Sequence, residues 1–151
     1  MWLLDCNTLI ALACESHVDH HRARKWFYEF RREFATGPTT QGAPLRHALR
    51  LGQDMTAAKA WRVLESVVEH IGHQFWPDSL PYAQVAHGQL SGHRQVTDFY
   101  LAELARQHGG RLATMDYGLT QAHPDAAEFV PKLSADEQLS TREESAGASE
   151  G

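Results

Sequence analysis

The chain has 151 residues, 42% of them hydrophobic, and a formal net charge of −5. This suits one globular domain with its own core and argues against a disordered chain. No run approaches the roughly 20 apolar residues of a membrane helix. The N-terminus has an acid at position 5 and no basic segment of the kind that opens a secretory signal. Cys6 and Cys14 suggest no disulfide framework, so a cytoplasmic location is expected.

The charge is uneven. Five acids (Asp136, Glu137, Glu143, Glu144 and Glu150) face the single base Arg142 after residue 133, which leaves residues 1–133 at −1. A nearly neutral body lacks the overall footprint of a nucleic-acid binder. Local basic groups remain, at Arg22, Arg24, Lys25, Arg31 and Arg32 and at Arg46 and Arg50, and a solvated helix face accounts for either as simply. The ten histidines are scattered and match no zinc spacing.

In chain order, Trp2–Asp5 reads as a short buried strand, apolar on both faces as in a parallel sheet. Asn7-Thr8 caps a helix to about Cys14. A second helix runs from Val18 to Arg32, with Ala23, Trp26, Phe27 and Phe30 at helical spacing. Glu33–Thr36 is a second strand. Thr39 or Thr40 caps a third helix to about Leu51. Thr56 caps a fourth, with Ala60, Val63, Leu64, Val67 and Ile71 on one stripe. His73–Trp76 is extended and Asp78–His87 a short helix. Gly92–His108 is a longer helix stopped by Gly109-Gly110. Arg111–Thr114 is a strand, Asp116–Gly118 a turn and Glu128–Val130 a last strand. The alternation predicts an α/β sandwich with a mainly parallel sheet of four or five strands, which gathers sites at strand C-terminal ends. Ser134–Gly151 is rich in Ser, Glu, Gly and Ala and reads as a disordered acidic tail, which sets the domain at residues 1–133 and the tail at 134–151.

Three aspartates stand against apolar segments: Asp5 closes Trp2-Leu3-Leu4, Asp98 interrupts Val96–Ala102, and Asp116 follows Leu112–Met115. A carboxylate there costs several kcal/mol unless paired, hydrogen-bonded or bound to a metal. If the strands before Asp5 and Asp116 are adjacent and parallel, both acids emerge at one edge. Asp98 lies on or beside the stripe of Leu101, Ala102 and Ala105. A cap, a turn or an ion pair explains any one of them. Three together, with no obvious Lys or Arg partner, read as one site for a hard cation, Mg²⁺ or Mn²⁺.

The same segments resemble the motifs of PIN-domain ribonucleases. Leu4-Asp5-Cys6-Asn7-Thr8-Leu9-Ile10 is similar to the first, Thr39-Thr40-Gln41-Gly42-Ala43-Pro44-Leu45-Arg46 to the second, Gly92–Asp98 with Leu101-Ala102 to the third, and Gly110–Leu119 to the fourth. The match runs in order over about residues 2–133 and is nearest to the VapC toxins of bacterial VapBC toxin–antitoxin pairs. The resemblance implies a three-layer α/β/α sandwich and a Mg²⁺- or Mn²⁺-dependent endoribonuclease. Asp5, Asp98 and Asp116 would be its metal ligands, directly or through water, with Gln41 beside them in the catalytic site. It also implies an RNA substrate, an antitoxin partner and a homodimer. Asn7 and Thr114 would hydrogen-bond behind the ligands, although a helix cap and a strand position explain them equally well. Arg46 and Arg94 would contact phosphate, with surface ion pairing as the alternative.

One position departs from the family. Gln41 stands where the second motif usually has Glu, so the site carries one negative charge fewer. Weaker metal binding, or reliance on one well-held ion, is the consequence expected. A PIN-like binding module without activity is the second reading. A phosphatase with Asp5 as nucleophile is a third, but it needs an acid where Asn7 stands and a Lys that neither Lys59 nor Lys132 supplies.

Overall fold

A computed structural model describes residues 1–29, 33–52 and 54–148. Strand β1 (Trp2–Leu4) leads into α1 (Cys6–Ala13) and α2 (His20–Glu29). Then come β2 (Phe34–Thr36), α3 (Pro38–Leu51), α4 (Ala57–Val68) and β3 (His73–Phe75). Two short 3₁₀ turns, Tyr82–Gln84 and His93–Gln95, precede α5 (Val96–Gln107). The chain continues through β4 (Arg111–Thr114), α6 (Tyr117–Ala122), β5 (Ala127–Phe129) and α7 (Ala135–Ala148). The five strands form one sheet in the order β3-β2-β1-β4-β5, and every pairing is parallel. The expected α/β sandwich is therefore present, with a wholly parallel sheet.

Because side chains alternate across a strand, β1 serves both layers. Leu3 joins Ala35, Leu112 and Ala127 against Phe99, Leu101 and Leu104 of α5. Leu4 joins Phe34, Ala113 and Val130 against Leu9 of α1 and Trp26 and Phe27 of α2. Leu3 and Leu4 are fully buried, each worth about 1.5–3 kcal/mol relative to exposure. β1 pairs with β4 in the register Leu3↔Leu112 and Leu4↔Ala113. Their C-terminal ends, and the acids that follow them, thus emerge side by side.

Several local expectations change. The third helix begins at Pro38 behind a Gly37 cap, because Thr40 Oγ accepts the Gly37 N–H and Thr39 gives its N–H and hydroxyl to Asp78. The fourth helix ends at Val68, so Ile71 falls beyond its stripe and is fully exposed. Asp78–His87 contains only one 3₁₀ turn, since Pro81 sits where a helix would need its N–H. Asp116–Gly118 is the start of α6 rather than a plain turn, because the Asp116 carboxylate accepts the Leu119 N–H. Gly109, at φ +64°, terminates α5 in the left-handed conformation that glycine adopts readily. The expected second helix reaches onto residues 30–32, which lie outside the described residues, as do Phe30, Arg31 and Arg32 of its stripe and basic group.

The tail expected to be disordered is helical over Ala135–Ala148, and none of that helix is buried. Its local composition of Ala, Glu, Gln and Leu favours helix, Ser134 and Glu137 hydrogen-bond reciprocally at its start, and Lys25 of α2 pairs with Glu137. Ending the chain at residue 133 is expected to shift the melting temperature by less than about 2 °C. A loss above about 5 °C in a thermal scan would make α7 part of the domain's stability.

Candidate functional site

Asp5 is set by the strand-to-helix junction. It caps α1, with Oδ1 accepting the Asn7 N–H at 3.0 Å. Its other oxygen, Oδ2, accepts the Thr114 hydroxyl at 2.6 Å. Thr114, fully buried at the end of β4, also accepts the Asp116 N–H on its own Oγ at 3.0 Å. One hydroxyl thus ties the first acid to the backbone of the third. Asp116 is exposed and caps α6 through Oδ1 to the Leu119 N–H at 3.2 Å.

Asp98 sits in the first turn of α5, half-buried and with no hydrogen-bond donor or cation bonded to it among the described residues. Burial, then the nearby charges of Asp5 and Asp116, push its carboxyl from the ordinary 3.8 up to about 6. Asp5, only 3% exposed, is also raised. Burial is the main cause, the Thr114 and Asn7 bonds oppose it, and Asp116 adds to it. The thiol of Cys6 is driven to about 12 by burial and by Asp5 and Asp98, against a smaller opposing pull from Arg46. That thiol is a spectator, but its surroundings place the acids and Arg46 around one region.

The residues expected to join them behave differently from one another. Gln41 gives its amide N–H to Thr36 Oγ at 3.0 Å, and Thr36 Oγ is 2.7 Å from His73 Nε2. With Gln41 donating, the Thr36 hydroxyl is left to donate to a neutral His73, whose pKa is lowered chiefly by burial. Gln41 is bonded to this chain and to none of the three acids. Asn7 contributes its backbone N–H to Asp5 while its exposed side chain makes no hydrogen bond among the described residues. Arg46 is exposed and lies back over Gly42, where an added Cβ would meet its Nη1 at 2.7 Å. Arg94 is exposed in the second 3₁₀ turn with no ion pair among the described residues. Thr36, His73 and Asp78 are the participants the sequence does not announce. Their partners lie 5 to 39 residues away, and no local pattern links them.

The acids border one region without being gathered into a ligand shell. Among the described residues no three His, Cys, Asp or Glu side chains stand close enough to hold an ion as they are placed. The donor set nonetheless fits a hard cation. It is all oxygen, it includes a carboxylate with no donor of its own among the described residues, and the charge of Asp116 adds to the burial that holds both Asp5 and Asp98 above their ordinary pKa. Two concavities of the surface, one among Leu12, Phe27, Phe34 and Val67 and one against α7, contain none of the three acids.

No family model matches the chain. Two solved structures share its fold: FitAB bound to an IR36 DNA fragment, at 22% identity and TM-score 0.58 over 89% of this chain and 98% of that one, and FitAcB from Neisseria gonorrhoeae, at 22% and 0.61 over 88% and 100%. The five-stranded parallel sheet and its flanking helices define a PIN-like α/β protein. Sequence carries this further. The chain is 47% identical over 129 residues to ribonuclease VapC29 of Mycobacterium tuberculosis, covering 85% of this chain and 96% of that protein. It is 38% identical over 127 residues to ribonuclease VapC39 of the same organism, covering 80% and 91%. It belongs to the VapC family of ribonucleases, the PIN-domain toxins of toxin–antitoxin pairs.

Proposed function

We propose that this chain is an endoribonuclease that hydrolyses RNA phosphodiester bonds with a Mg²⁺ or Mn²⁺ ion held by Asp5, Asp98 and Asp116. The observation that supports the reading is that Asp5 and Asp116 follow the paired strands β1 and β4, and that the charges of both reach Asp98 at the start of α5. A bound divalent ion supplies charge neutralisation at phosphate and a more acidic water. The protein's own residues do the rest. Thr114 and the Asn7 N–H fix both oxygens of Asp5, and Thr114 also holds the Asp116 backbone. Arg46, whose charge reaches the acids' neighbour Cys6, is placed to attract the polyanionic substrate, and Arg94 at the start of α5 can do the same. Gln41 offers an uncharged amide oxygen where the family usually has a carboxylate, so the ion is held by three negative charges.

In this reading the chain acts in the cytoplasm as the toxin of a type II pair. It works as a homodimer and is silenced by a cognate antitoxin. No helix among the described residues is long and apolar enough to cross a membrane. The exposed rings of Trp61 and Tyr28 are candidates for the contacts between subunits or with the antitoxin, whereas Trp26, considered with them, is buried in the core. Incubating the purified protein with single-stranded RNA tests the activity. Cleavage with Mg²⁺ or Mn²⁺ that EDTA abolishes is expected, and cleavage that persists in EDTA would rule the reading out.

A further inference from the structure

Tyr117 follows Asp116 directly and is 62% exposed, so the core does not need its ring. It is nevertheless braced. The ring stands edge-to-face with Phe129, centroids 5.5 Å apart and planes at 84°. The guanidinium of Arg22 lies over the Phe129 ring, 5.2 Å from its centroid. Arg22 is itself fixed by hydrogen bonds to the carbonyls of Val130 and Pro131. The backbone under Tyr117 is the first residue of α6, and the Thr120 hydroxyl donates to its carbonyl at 2.7 Å. Of the exposed aromatic side chains among the described residues, Tyr28, Trp61, Phe75, Tyr82 and Tyr117, only Tyr117 adjoins one of the three acids in sequence.

We infer that Tyr117 is a stacking platform for an unpaired base of the RNA beside the acid cluster; this rests on the ribonuclease reading above. A base of single-stranded RNA can splay out and stack on an aromatic ring, and every base has a face to offer. A ring already packed against Phe129, which Arg22 in turn covers, loses little freedom when the base arrives. The platform therefore positions the strand without choosing its sequence, and bases locked in a duplex cannot use it.

The test uses the full chain and a short single-stranded RNA, intact or with one abasic position stepped along it. Tyr117→Ala is expected to raise KM for the intact RNA about ten- to a hundredfold with kcat nearly unchanged. Tyr117→Phe should restore it, and one abasic position should cost the wild type the same factor while costing Tyr117→Ala nothing more. A 2-aminopurine at that position should be quenched on binding to wild type with EDTA present, and not on binding to Tyr117→Ala. Equal KM and equal quenching in wild type and Tyr117→Ala would overturn the inference. So would a change of oligomeric state in Tyr117→Ala, which would assign the ring to a protein interface. If wild type binds and quenches the RNA but never cuts it, the ribonuclease reading falls and the platform stands.

Discussion

Asp98→Asn is expected to lower metal-dependent RNA cleavage by a factor of about 10²–10³ or more and, in the same protein without metal, to raise stability at pH 8. The two effects share one cause. Asp98 has no donor among the described residues, and burial first, then the charges of Asp5 and Asp116, raise its carboxyl from the ordinary 3.8 to about 6. A folded-state pKa above the unfolded one means that the folded chain resists the charge. The penalty is absent below about pH 4, grows as pH rises through the window between those values, and is complete above about 6. An asparagine keeps the shape and drops the charge. A shift of that size corresponds to about 3 kcal/mol at full weight, and solvent at this partly open position reduces it to about 1 kcal/mol. Urea unfolding in EDTA at pH 8 and at pH 3.5 checks it. The variant should exceed the wild type at the higher pH and match it at the lower. A less stable variant at pH 8, or one that cleaves as well as wild type, would contradict the account.

Thr114→Val should reduce cleavage about 10- to 100-fold, although residue 114 need not touch metal or RNA. Its hydroxyl is the donor on Asp5 Oδ2 and the acceptor for the Asp116 N–H, so it orients one acid and anchors the loop of another. Valine fills the same space and leaves both groups unpaired, at a cost of about 1–3 kcal/mol in stability. The Thr114 bond also lowers the pKa of Asp5 against the push of burial. Its loss raises that pKa further, and the acidic limb of the pH–rate profile should move to higher pH. Thr114→Ser keeps the hydroxyl and should recover most of the activity. If Thr114→Val leaves both the rate and its pH profile unchanged, the hydroxyl plays no part in positioning Asp5.

The parts of the fold that were legible are those with short-range signatures. The apolar runs of β1 and β4, the glycine stop after α5 and the Thr56 cap of α4 are local patterns. Once β1 and β4 are parallel neighbours, the convergence of Asp5 and Asp116 follows. Asp98 stands out in the sequence because a carboxylate interrupts an otherwise apolar helix face. What was hidden depends on partners distant in sequence. Thr36, His73 and Gln41 meet only when β2, β3 and α3 assemble. Asp78 caps α3 from 39 residues away, and that moves the helix start to Pro38. The acidic tail differs for another reason. Its low hydrophobicity points to disorder, but burial is not required for a run rich in Ala and Glu to be helical.

The central claim is that Asp5, Asp98 and Asp116 form one divalent-cation site, and calorimetric titration of Mn²⁺ into the wild type and Asp98→Asn at pH 7.5 tests it most directly. The account predicts saturable binding to the wild type that Asp98→Asn loses. Saturable binding of equal strength in both proteins, or none in the wild type, would contradict it.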